Sequence, residues 1–258
     1  TDKAGKPVQG VDLTAYSLTK KFTYSAPELP YLGKPRKDKS LINNFTLKEA
    51  KPADNDGLKL DYDAWKKKAG IDSIEYYKFI YPGKQLYRFE YEPKDSITQF
   101  APFVISDGDI EPVHVIYVDN KPVYFSWSTN EQPYSFRINP GHHQVKLRTR
   151  NQLITIDSLY ISLGKKLVFS LNHDLEQKNI RSEKADPKLS EYEKQQLYRY
   201  IFPYRNNFGE KYAYLNNLEQ VISLKSSKNN YQPYNLAGPV SGITTFTLID
   251  GFTTTFTH

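Results

Sequence analysis

The chain has no cysteine, no methionine and only two tryptophans among its 258 residues. Without cysteine there is no disulfide framework, thiol nucleophile, Cys-ligated zinc or iron–sulfur cluster. No apolar run approaches the roughly 20 residues needed to span a bilayer, and no signal peptide is legible. Anything directing export is therefore expected outside this segment, and the missing initial methionine reads as a piece of a longer protein. Charge is also modest, at +6. The basic clusters at 34–37, 66–68 and 165–166 are scattered among acids, and Lys146, Arg148 and Arg150 alternate as a solvent-facing strand would. A nucleic-acid groove needs its cations on one face, so no nucleic-acid partner is expected.

Aromatic residues are plentiful, with 21 tyrosines and 14 phenylalanines. Tyrosine suits a pleated, half-buried surface where the ring packs and the hydroxyl stays wet. The expected fold is mainly β: tandem antiparallel β-sandwich modules with short helical insertions. Residues 1–95 read as a first module, opening on the turn Asp2 to Val8 and the alternating run to Leu18. It carries a helical insertion at 61–81. There Asp61 and Asp72 can cap two short helices, ended by Gly70 and by Pro82-Gly83.

Residues 96–173 carry seven short apolar runs between turn residues, from Ile97–Ile105 to Lys166–Leu171. This spacing predicts one antiparallel sandwich. Residues 174–190 lack periodicity and read as a linker. Ser190 with Glu193 makes a capping box, Tyr212 to Leu224 reads as helical or extended, and the alternation around Asp250-Gly251 reads as a hairpin. The last domain, 174–258, is expected to be incomplete.

Two stretches resemble known modules. Asp2-Lys3-Ala4-Gly5-Lys6-Pro7-Val8 is similar to the opening turn of macroglobulin-type and carboxypeptidase-regulatory-like sandwiches. Val118-Asp119-Asn120-Lys121-Pro122, followed by Pro140-Gly141-His142-His143-Gln144-Val145, resembles PEGA-like surface modules. Together with Ile97 to Phe103 and Leu236-Ala237-Gly238-Pro239, the chain resembles the large α2-macroglobulin-like, TonB-plug-associated envelope proteins of Bacteroidota. The resemblance implies an extracytoplasmic location, in the periplasm or at the surface of the outer membrane, and a protein partner in that envelope. The thioester chemistry of covalent macroglobulin traps needs a cysteine this chain lacks. Three tripeptides, Asp72-Ser73-Ile74, Asp95-Ser96-Ile97 and Asp157-Ser158-Leu159, resemble the O-glycosylation signal of exported Bacteroidota proteins. That implies Ser73, Ser96 and Ser158 as acceptors, although Asp-Ser pairs also open helices and turns.

Residues of catalytic type do not assemble into a pattern. Glu90 and Glu92 fall on one strand face about 7 Å apart, as any exposed strand would place them. An enzyme would need these two, or Asp107 and Asp109, to converge in a pocket. His142 and His143 open a strand and would point to opposite faces, so neither they nor His114, His173 and His258 form a metal set. Asp54-Asn55-Asp56-Gly57 lacks an EF-hand register. Gly-x-Ser-x-Gly and phosphate-cradling loops are missing. No catalytic residue, cofactor or metal is expected. The aromatic group Tyr117, Tyr124, Trp127 and Tyr134 reads either as core or as a surface that stacks on sugar or anchors a protein. The expected function is a structural or protein-binding array, with sheet edges open to strand addition; the alternative is a carbohydrate-binding module.

Overall fold

A computed structural model describes residues 61–126, 128, 134–204, 213–217, 221–224, 235–240, 243–248 and 253–257. The expected opening hairpin, the Asp54–Gly57 cluster, Trp127 and His258 lie outside the described residues. The chain divides into two units, Thr1–Leu41 and Ile42–His258, and all described residues belong to the second.

The protein is mainly β. Two five-stranded sheets form its centre. The first comprises β1 (Tyr87–Tyr91), β9 (Lys166–Asn172), β2 (Gln99–Ser106) and β3 (Asp109–Glu111), in that spatial order, with β6 (Phe136–Arg137) also on β2. The second runs β10 (Ile180–Lys184), β8 (Gln152–Ile161), β7 (Gly141–Arg148), β4 (Val115–Val118), β5 (Lys121–Phe125). Phe100, Val104, Leu167 and Phe169 of the first share one buried cluster with Ile116, Val145, Leu147, Ile154 and Ile156 of the second. That shared interior makes the pair a sandwich.

Turn chemistry fixes the hairpins. Asp119 and Asn120 both take positive φ, 49° and 64°, as a two-residue loop between twisted strands demands. Pro122 is tolerated because β5 is an edge strand. Pro102 sits within central β2, but between the stretches paired to β6 and β3. Its carbonyl oxygen there accepts from the Tyr134 hydroxyl at 2.6 Å.

Three features depart from the expected module. The strands are not all antiparallel: β2 and β9 run parallel, from Gln99 opposite Lys166 to Ile105 opposite Asn172. Four strands of the second sheet, β4, β5, β7 and β8, lie between them in sequence and supply the long crossover that parallel neighbours require. Nor do the sheets stop at 96 and 173. β1 pairs with β9, and β10, within the expected linker, pairs with β8 from Ile180 opposite Ile156 to Lys184 opposite Gln152. Ile180 is buried in the shared core, and one such anchor suffices to order a strand whose other residues are polar.

Helices cover both outer faces. α1 (Tyr62–Ala69) starts where Asp61 accepts from the Ala64 amide and ends on Gly70 at φ 69°. α2 (Ser73–Ile80) starts where Asp72 accepts from the Glu75 amide at 2.7 Å. Phe79, the buried residue of α2, packs edge-on against Phe103 and Tyr87, with Trp65 beside it. Ser170 of β9 ties the same helix down by donating to the Phe79 carbonyl oxygen at 2.6 Å. On the far side, α3 (Glu191–Tyr198) has the expected capping box from Ser190 and Glu193. Its Leu197 packs with Val115, Phe125, Leu189 and Ile201 on the outer face of the second sheet.

A two-stranded sheet, β11 (Phe202–Tyr204) with β14 (Asn235–Ala237), and a four-stranded one follow. The latter runs β13 (Val221–Leu224), β12 (Ala213–Asn217), β15 (Ile243–Leu248), β16 (Thr253–Thr257), so the expected closing hairpin is present as the β15–β16 pair. Leu215, Leu224, Ala237 and Val240 form their small core.

Candidate functional site

Of the aromatic group left open between core and binding surface, the described members are mostly interior. Tyr134 and Tyr124 are buried, their rings perpendicular at 5.4 Å, and Tyr134 also packs edge-on against Phe103 and Phe136. Burial drives the Tyr134 hydroxyl well above its ordinary pKa. Tyr117 is half-buried on the opposite face of the second sheet, against α3. Its hydroxyl is likewise pushed up, first by burial and then by the Glu193 carboxylate. The three described tyrosines are thus split between two interiors, because residues one apart on β4 and β5 face opposite sides of the sheet. Of the two readings, Tyr124 and Tyr134 take the core one.

Exposed large apolar side chains occur instead on α2 and at its C-cap, Tyr81. Ile74, Tyr77 and Tyr81 are 64%, 62% and 50% exposed. Their spacing, i, i+3 and i+7, lines them along one helical stripe. The Tyr77 and Tyr81 rings lie 4.9 Å apart at 43°. Tyr81 rests on the β2–β3 turn, where Gly108 has φ +87° and a Cβ would come within 2.7 Å of the tyrosine hydroxyl. The glycine therefore both makes the turn and seats the ring. Lys78 beside the stripe is paired with Glu75 at 2.9 Å. Glu75 also accepts from the Tyr87 hydroxyl; that bond, then the one from Lys78, holds its carboxyl below the usual range.

The signal for this stripe was present in sequence. α2 carries Ile74, Tyr76, Tyr77, Phe79 and Ile80 around nearly its whole circumference. A two-turn helix lying on one sheet cannot bury all of them. What sequence alone does not give is which side faces in.

A second cluster centres on Arg148, expected on a solvent face but only 1% exposed. Its Nε donates to Glu193 Oε1 at 2.7 Å and its Nη1 to the carbonyl oxygens of Thr149 and Arg150 at 2.6 and 3.0 Å. Nη2 donates to the carbonyl oxygen of Asp186. Glu193 Oε2 accepts from the Ser190 amide and hydroxyl. Burial raises the Glu193 pKa, but the bonds from Arg148 and Ser190 outweigh it and hold the group low. The guanidinium joins sheet, following loop and helix cap. It has no free donor face turned to a ligand, so its work is structural.

The remaining candidates are dispersed. Glu90 accepts from Arg88 at 2.8 Å and from the Ser162 hydroxyl at 2.9 Å, and Glu92 lies beyond the end of β1. Asp107 and Asp109 flank Gly108 in its turn. His142 and His143 do part: the first meets Ser158 Oγ at 2.9 Å, the second Asp119 at 2.7 Å and the Asn139 carbonyl oxygen at 2.9 Å. His114 is buried against Ser126, and His173 faces Glu111 at 3.4 Å. Among the described residues no cluster of His, Asp or Glu could hold a metal, and no helix is long and apolar enough to cross a membrane. Ser73, Ser96 and Ser158 are all exposed.

Fold and site together define a mainly-β, two-sheet sandwich with helices on both faces and an exposed aromatic helix stripe. No family model matches the chain, and no curated protein or solved structure matches it.

Proposed function

We propose that this chain is a non-catalytic module of an exported envelope protein that binds a protein partner through the Ile74–Tyr77–Tyr81 stripe. The observation that carries this reading is the seating of Tyr81 over Gly108, which holds a large, half-exposed ring in one place. Aromatic side chains fixed before binding lose little entropy on contact, and such residues dominate interface energies. The charged fringe of Lys78, Glu75, Asp107 and Asp109 gives the stripe a polar rim.

Strand addition, the other route to a protein partner, is less well served at the two central sheets. Their outermost strands are β1, β3, β5 and β10. β3 has three residues, β5 contains Pro122, and β1 and β10 carry charges at Arg88, Glu90, Arg181, Glu183 and Lys184. These are the devices that blunt an edge. Sugar stacking would use the same two tyrosines, but a 43° tilt denies them a common plane. Export is supported by the exposure of all three candidate acceptor serines. Intact-mass measurement on material from the native host would show added sugar, and an unmodified mass would remove that support.

The binding test is a photo-crosslinking residue at Tyr77, with Glu183 on β10 as control position. A discrete protein adduct from position 77, lost when Ile74 and Tyr81 are changed to serine, is expected. Equal adducts from both positions, or quenching of tyrosine fluorescence by polysaccharide without any protein adduct, would refute the reading.

A further inference from the structure

The four-stranded sheet ends in a strand unlike the outer strands of the central sandwich. β16 reads Thr253-Thr254-Thr255-Phe256-Thr257, and among the described residues it pairs only with β15. It contains no charge and no proline, and its register runs unshifted from Thr253 opposite Thr247 to Thr257 opposite Ile243. Charges, prolines and bulges are what keep an edge from pairing again, and β16 has none of them. Its surroundings in sequence are equally uncharged. From Asn229 onward Asp250 is the only Asp, Glu, Lys or Arg, in a chain where those types make up 25% of the residues. The other outer strand of this sheet, β13, is shorter and is flanked in sequence by Glu219 and Lys225.

The order of residues in β16 suits one partner in particular, another β16. Laid antiparallel about a two-fold axis at Thr255, two copies set Thr254 of each against Phe256 of the other, and Thr253 against Thr257. The Thr–Phe pairs repeat those that β15 already supplies, where Phe246 lies opposite Thr254 and Thr244 opposite Phe256. Pairs of an aromatic with a β-branched residue are among those that stabilise a sheet, and no like charges meet along this seam.

We propose that β16 is a homodimerisation edge, which joins the last sheets of two copies of this chain into one continuous antiparallel sheet. A two-fold contact uses the same strand twice and closes at two copies, whereas β16 added to β13 would repeat without end. The contact shares no residue with the Ile74–Tyr77–Tyr81 stripe and stands or falls apart from it.

Sedimentation equilibrium of the full 258-residue chain over a concentration series should show the mass rising from 29.9 kDa to a plateau at twice that value. Thr255→Lys and Thr255→Asp each set like charges face to face on the axis, and each alone should weaken association several-fold. Mixed in equal amounts they should restore it, which an unfolded variant would not do. The chain has no cysteine, so Thr255→Cys carries a single thiol. Opposed residues of an antiparallel pair lie about 4.5–5.5 Å apart at Cα, within reach of a disulfide. Mild oxidation should therefore link two chains several-fold faster in Thr255→Cys than in Val221→Cys, on β13. A mass that stays at 29.9 kDa, growth past two copies, association unchanged in both charged variants, or linkage at 221 as fast as at 255 would overturn the proposal.

Discussion

Replacing Arg148 with alanine tests how the second sheet holds α3. The guanidinium is 1% exposed and its partner carboxylate, Glu193, 22% exposed. Removing it leaves a partly buried carboxylate without its cation and three carbonyl groups without a donor. Breaking a buried ion pair by deleting one partner costs about 3–5 kcal/mol. The residual exposure of Glu193 places the expectation at the lower end, about 3 kcal/mol. Arg148→Met combined with Glu193→Gln removes both charges and should lose much less, because no orphan charge remains. Urea unfolding followed by tyrosine fluorescence reads both, with an unchanged slope expected if the denatured state is unaffected. The pair also sets an acid limit. The folded Glu193 pKa lies below its unfolded value, so its contribution is complete above the unfolded carboxyl pKa of about 4.3 and is lost as pH falls through the folded value. The acid-side loss should therefore be smaller in the double variant. An Arg148→Ala protein within about 1 kcal/mol of the parent, below the range for a broken buried pair, would refute this account.

Phe79→Ala should cost about 3–5 kcal/mol by cavity formation, since its ring is fully buried among Trp65, Tyr87 and Phe103; thermal unfolding by circular dichroism checks it. Tyr134→Phe should cost roughly 1–3 kcal/mol, because the Pro102 carbonyl loses its donor inside the core. In alkali the native Tyr134 should stay un-ionised while exposed tyrosines titrate, and the stability this represents should be lost as pH rises above the unfolded value of about 10; absorbance of the phenolate reports both. Gly108→Ala combines a left-handed backbone with a clash against Tyr81, so roughly 1–2 kcal/mol is expected from the backbone alone. The change should appear as an altered near-ultraviolet tyrosine signal.

Local chemistry was the legible part of this fold. Asp61, Asp72 and the Ser190–Glu193 pair cap helices as their positions indicate, and Asp119-Asn120 turns a hairpin. These depend on neighbours within a few residues. Pairings set by distant partners were not legible. β10 hides in a polar stretch because one residue, Ile180, anchors it, and the β2–β9 neighbourhood joins segments some sixty residues apart. Arg148 misled for the same reason: alternation says which side of β7 it occupies, but α3 decides whether that side is wet. The aromatic candidates shifted likewise. Tyr124 and Tyr134 fill the space between layers, while α2 has more apolar residues than one sheet face can cover.

The place of β9 bears on how the chain can be made. This strand is inserted between β1 and β2, and among the described residues β1 has no other strand beside it. A ribosome must therefore release everything through about residue 172 before the two earlier strands can be zipped together. Until then their backbone groups are open to any passing strand, which makes the nascent chain most vulnerable to misassembly just before its central ribbon arrives.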